Sequence, residues 1–153
     1  MKKYVFDLDN TLFYTDALNN ESYNFALEQL KFPAIIRDKR ITRDIVFSHY
    51  SMTEETKKQL TAIKQKYFIS NLDKVMPNEN LITFLKSLMP EECVLWTRAE
   101  HLRVECILDR FNLAGCFIKL FFSTKENKDK DIQEMCDFFG CTEEEIVIFD
   151  DEM

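Results

Sequence analysis

Four short apolar runs, each closing on an acid or a hydroxyl, constrain this chain more than any other feature. They are Tyr4-Val5-Phe6-Asp7, Cys93-Val94-Leu95-Trp96-Thr97, Ile118 to Thr124, and Ile146-Val147-Ile148-Phe149-Asp150-Asp151. A strand with one wet face alternates apolar and polar residues. A strand covered on both faces is apolar throughout, as in a parallel sheet flanked by helices. Between the runs, apolar residues recur at i, i+3, i+4, i+7: Leu81, Phe84, Leu85 and Leu88, then Val104, Ile107, Leu108 and Phe111, then Ile132, Met135, Cys136 and Phe139. Each set places one apolar stripe on a helix. Gly140 stands where a C-terminal cap belongs. Strand and helix in alternation predict a three-layer α/β fold, a Rossmann-like, doubly wound parallel sheet.

Residues 16–76 read differently. No strand pattern is present there. Tyr23, Ala26, Leu27 and Leu30 form one helical stripe, and Leu60, Ile63 and Tyr67 another. Pro33 suits the first turn of a middle helix, and Ser51-Met52-Thr53-Glu54 fits a capping box. The expectation is a small α-helical insert, with residues 1–15 and 77–153 forming the α/β core.

Composition closes off several alternatives. Twenty-seven acids against 20 Lys and Arg give a net charge of −7, a poor surface for a polyanion, so neither nucleic acid nor an anionic membrane is an expected partner. No apolar run approaches the ~18 residues of a membrane span. An acid enters the N-terminal apolar stretch at Asp7, unlike a secretory signal. Five cysteines without a CxxC pair suggest free thiols in a reducing cytoplasm. Two histidines, in no metal-ligand spacing, argue against zinc. Two glycines in all exclude a P-loop and a GxGxxG fingerprint.

Ligands of open α/β sheets bind beyond the carboxyl ends of the strands. There this sequence carries Asp7-Leu8-Asp9-Asn10-Thr11, Thr97-Arg98, a loop with Lys125, Lys128 and Lys130, and Asp150-Asp151. Two unit charges ~4 Å apart repel by about 4 kcal/mol at an effective dielectric of 20, so gathered carboxylates need a cation. Oxygen ligands without a paired His or Cys select a hard ion, for which Mg²⁺ is the natural choice. With a lysine and a threonine hydroxyl added, the pocket suits a phosphoryl group. Taken singly, an Asp-x-Asp after a strand, a terminal Asp-Asp or a loop lysine is ordinary surface chemistry. Their order along the chain carries the signal.

That order resembles the haloacid dehalogenase superfamily. Val5-Phe6-Asp7-Leu8-Asp9-Asn10-Thr11-Leu12 is similar to its first motif, Val94-Leu95-Trp96-Thr97 to the second and Ile146 to Asp151 to the fourth. Lys128, 22 residues before Asp150, fits the third, with Lys125 as the alternative. The insert stands where members carry a small helical cap of the first type. The resemblance implies a Mg²⁺-dependent phosphatase acting on a small phosphorylated metabolite. Asp7 would be the nucleophile that becomes an aspartyl-phosphate, and Asp9 the acid and base. Asp7, Asp150, Asp151 and the Asp9 main-chain carbonyl would be metal ligands, and Thr97 and Lys128 phosphate-binding groups. The second aspartate, absent from true haloacid dehalogenases, favours phosphate chemistry. Members usually continue with another helix beyond the fourth motif, whereas this sequence ends at Met153. The readings kept beside the phosphatase are a fold-retaining domain without catalysis and a phosphomutase.

Overall fold

The structure, a computed structural model, describes residues 1–151; Glu152 and Met153, and with them the expectation about the chain end, lie outside. The chain divides into two compact units, Met1–Tyr14 with Pro77–Met153, and Thr15–Met76. In order the elements are β1 (Lys3–Phe6), β2 (Phe13–Tyr14), α1 (Asp16–Gln29), α2 (Arg43–His49), α3 (Glu54–Ser70), β3 (Met76–Pro77), α4 (Glu79–Lys86), β4 (Cys93–Thr97), α5 (His101–Arg110), β5 (Lys119–Phe122), α6 (Lys128–Phe139) and β6 (Ile146–Phe149).

In the first unit the sheet runs β5-β4-β1-β6 and every pairing is parallel. The register sets Val5 opposite Val94 and Ile148. The four strands therefore end along one edge, which brings together residues far apart in sequence. All five residues of β4 are buried, as expected of a central strand covered on both faces. On one face Val5, Val94, Trp96 and Met135 form a cluster that Ile132 and Phe139 of α6 extend. On the other, Phe6 stacks on Phe149 with centroids 5.0 Å apart, and Phe84 meets both Tyr4 and Phe149 edge-on. The three-layer α/β fold is the one the strand–helix alternation implied.

The helices carry the caps their sequences allow. Asn78 accepts from the Leu81 amide and Asn127 from the Lys130 amide. Gly140, at φ 68°, ends α6 in the left-handed conformation that favours glycine. The buried stripe of α4 differs from the periodicity reading: Ile82 and Leu85 point inward, while Phe84 stays 37% exposed. Flanking aromatic partners for Phe84 explain why its apolar ring tolerates that edge position.

The second unit is a helical cluster. Tyr23, Ala26 and Leu27 of α1 pack with Ile35, Ile41, Val46 and Leu60. Buried Asn19 closes the α1 side by donating to the Ile41 carbonyl at 2.8 Å. Pro33 lies in an irregular stretch rather than in a helix, and the middle helix begins only at Arg43. There Tyr50 donates to the Pro33 carbonyl at 2.6 Å, so the proline segment is held by a side chain and not by helical bonds. The N-cap of α3 is Thr53, which accepts from the Thr56 amide, two residues beyond the Ser51 of the expected capping box. Among the described residues no helix is long and apolar enough to cross a membrane.

Candidate active site

The site is assembled at the carboxyl ends of the strands. The Asp7 amide continues the β1–β6 ladder by donating to the Phe149 carbonyl. Immediately after it the chain reverses. The Thr11, Leu12 and Phe13 amides all converge on the Leu8 carbonyl. Asn10 takes a positive φ of 61°, which Asn tolerates better than most residues. This tight turn makes Asp7 and Asp9 project from a fixed backbone at the end of a central strand.

Asp7, Asp150 and Asp151 each offer a carboxylate oxygen within 4.8 Å of the others'. Lys125 is a cation at this cluster. Its Nζ lies 2.7 Å from Asp150 Oδ2 and 3.2 Å from Asp7 Oδ1. The side chains of Lys125 and Asp150 are 2% and 0% exposed. Burial pushes the Asp7 carboxyl up from 3.8 to about 6; Lys125 opposes the rise and Asp150 adds to it. A divalent cation with hard oxygen preference fits this donor set: oxygens only, and closely spaced.

Of the two lysines the sequence left open, it is Lys125 whose ammonium the structure sets between Asp7 and Asp150. Lys128 is the first residue of α6, after its Asn127 cap. Lys125 sits in a left-handed turn, φ 59°, whose shape is set by its amide donating to Ser123 Oγ at 3.0 Å. Spacing to the fourth motif could not reveal a backbone reversal of this kind. Thr97 is where expected, at the end of β4, buried, with Oγ1 accepting from the Ala99 amide at 3.0 Å.

Asp9 is held by a residue the sequence reading did not single out. Arg103 of α5 grips both its oxygens, Nη1 to Oδ1 at 2.9 Å and Nη2 to Oδ2 at 2.7 Å. The Arg103 side chain is 7% exposed and that of Asp9 21%. The signal was available: Arg103, Ile107 and Phe111 stand four apart, which puts a charged residue on an apolar stripe. Thr11 reaches across the site: its Oγ1 accepts from the Asp151 amide at 3.2 Å.

Comparisons with known proteins bear on the fold and the family. No curated protein sequence matches the chain. Among solved structures, a HAD-superfamily hydrolase of subfamily IA, variant 1, from Geobacter sulfurreducens superposes with a TM-score of 0.70 at 13% identity, over 97% of this chain and 77% of that one. A predicted phosphoglycolate phosphatase from Haemophilus somnus gives 0.76 at 18% identity, over 97% and 76%. A family IA, variant 3 HAD hydrolase from Entamoeba histolytica gives 0.72 at 14%, over 97% and 74%. These likenesses concern the fold. The family profile described as "Haloacid dehalogenase-like hydrolase" matches residues 4–153, nearly the whole sequence, and the chain belongs to that family.

Proposed function

We propose that the protein is a Mg²⁺-dependent hydrolase of small phosphomonoesters that works through an aspartyl-phosphate on Asp7. The observation that carries this reading is the cluster at the strand ends: Asp7, Asp150 and Asp151 within 4.8 Å of one another, with Lys125 on two of them. Bound at Asp7, Asp150 and Asp151, Mg²⁺ would neutralise charge on the phosphoryl oxygens. The Asp9 main-chain carbonyl is a further candidate ligand.

In the chemical step an Asp7 oxygen attacks phosphorus and the bond to the leaving alkoxide breaks. Dividing hydrolysis into two displacements replaces one hard step with two easier ones. Lys125 and the Thr97 hydroxyl hold the non-transferring oxygens, in keeping with a reaction governed by position and charge. Asp9 gives a proton to the leaving oxygen, then takes one from the water that attacks the aspartyl-phosphate. Arg103 occupies both Asp9 oxygens, so one of them must be freed for this transfer. The helical unit, Thr15–Met76, would serve as the cap that selects the leaving group and excludes water. The five cysteines, all free, support a reducing, cytoplasmic setting.

The test is a panel of phosphorylated metabolites and p-nitrophenyl phosphate, assayed for free phosphate with Mg²⁺ and with excess chelator. The expected result is Mg²⁺-dependent release of phosphate to water. Undiminished turnover in chelator would reject the metal role. Transfer to a sugar hydroxyl without net phosphate release would replace the hydrolase by a mutase.

A further inference from the structure

We propose that Asp131 is a positioning residue for Lys125, acting through Ser123 and Trp96. The inference rests on the reading above that Lys125 holds phosphate oxygens, but its geometry stands apart from it. Asp131 lies in the first turn of α6, where a carboxylate is favoured by the helix dipole. A single oxygen, Oδ2, accepts from two donors. One is the indole Nε1–H of Trp96 at 3.0 Å, and the other is the Ser123 hydroxyl.

Each donor then acts on Lys125 in a different way. Ser123 Oγ, oriented by giving its proton to Asp131, accepts from the Lys125 amide at 3.0 Å. That bond fixes the turn in which Lys125 adopts φ 59°, a conformation lysine enters only when its surroundings hold it there. Trp96, locked by its indole bond and fully buried, presents its ring 4.3 Å from Lys125 Nζ. A desolvated ammonium over an indole face is attracted to it. The backbone and the head of Lys125 are thus both set by one carboxylate that belongs to another element. Without it the turn and the indole floor lose their common anchor, and Nζ is free to leave Asp7 and Asp150.

The experiment uses the full chain and the variants Asp131→Ala, Asp131→Asn, Ser123→Ala and Lys125→Met. Trace labelling with acetic anhydride, read by mass spectrometry, compares Lys125 with Lys128 and Lys130 on the same stretch. Asp131→Ala should raise labelling of Lys125 about tenfold, with its two neighbours unchanged, and weaken binding of inorganic phosphate in Mg²⁺ by a similar factor. Because both bonds meet one oxygen, Asp131→Asn keeps an acceptor and should restore most of the protection. Ser123→Ala should reproduce the labelling change. In Lys125→Met, adding Asp131→Ala should cost no further phosphate affinity. Unchanged labelling of Lys125, an equal rise at all three lysines, or a full additive loss in the double variant would each overturn the proposal. If the labelling behaves as expected while the parent binds no phosphate, the positioning role stands and the phosphatase reading fails.

Discussion

Two buried cations meet aspartates along the same edge of the sheet, and they do so differently. Lys125 places a single ammonium between Asp7 and Asp150, carboxylates supplied by the ends of two strands. Arg103 lays a planar fork on one carboxylate, Asp9, with two short bonds. The fork is a bidentate pair whose geometry fixes a rotamer. The ammonium is a point charge that can share its contacts with an incoming anion. On the proposed function, the first region takes a divalent ion and a phosphate, while the second positions Asp9.

The largest effect expected on this contrast is that of Asp7→Asn. If Asp7 is the nucleophile, kcat should fall by about a thousandfold or more while the protein stays folded. Turnover of p-nitrophenyl phosphate near the parental rate would move the nucleophile elsewhere. Next come Lys125→Met and Arg103→Met. Each takes a buried cation from a carboxylate, fully buried at Asp150 and 21% exposed at Asp9, and should destabilise the fold by up to about 3–5 kcal/mol, less for Arg103→Met. The two variants should part on adding Mg²⁺. It should recover much of the loss in Lys125→Met, since the cation can replace the missing ammonium among Asp7, Asp150 and Asp151. Arg103→Met should gain no more than the parent gains. Chemical denaturation with and without Mg²⁺ reads both, and equal rescue of the two variants would erase the distinction between the regions.

The same contrast marks what could be read from the sequence. The largely apolar runs identified the parallel strands, although only β4 is buried throughout, while β5 and β6 at the sheet edges are half-buried or exposed. Their acidic ends identified Asp7, Asp150 and Asp151, because parallel strands finish at one edge. Lys125 was harder. Its place depends on a left-handed turn stabilised by Ser123 and Asp131, and no periodicity encodes a single reversed residue. Arg103 shows the opposite failure: its position on the apolar stripe of α5 is legible, but its partner lies 94 residues away and only the packed fold names it. In the helical unit, Pro33 met the local rule for a first helical turn, yet an irregular segment held by Tyr50 prevailed.

A smaller effect concerns pH. The Asp7 carboxyl titrates near 6 when folded, against 3.8 as its ordinary value. The folded state thus holds its proton to higher pH than the unfolded chain does. The stability this contributes is fully present below about pH 4 and is lost as pH rises through 6. Without metal, the ionised Asp7 should subtract up to about 3 kcal/mol at pH 7.5. Asp7→Asn carries no charge to bury, so in chelator it should be the more stable protein at pH 7.5, with the gap closing near pH 4. Mg²⁺ should reverse the order by binding the parental carboxylate. A parent as stable as the variant at pH 7.5 in chelator would show that Asp7 is already neutralised without a metal, and the contrast with the Arg103 pair would narrow.

The smallest effect tests whether the acidic cluster has its own tether. Thr11 Oγ1 accepts from the Asp151 amide across 140 residues of sequence, tying the turn after β1 to the end of β6. Thr11 is 7% exposed, whereas Asp151 is exposed, so in Thr11→Val water can satisfy the released amide. A neutral hydrogen bond replaced in this way is worth about 1 kcal/mol. The loss should appear as a few-fold weaker Mg²⁺ affinity, with the Arg103–Asp9 pair unaffected. Calorimetric titration of Mg²⁺ into parent and variant decides it. Unchanged affinity would mean that Asp151 contributes charge to the cluster without depending on where Thr11 holds it.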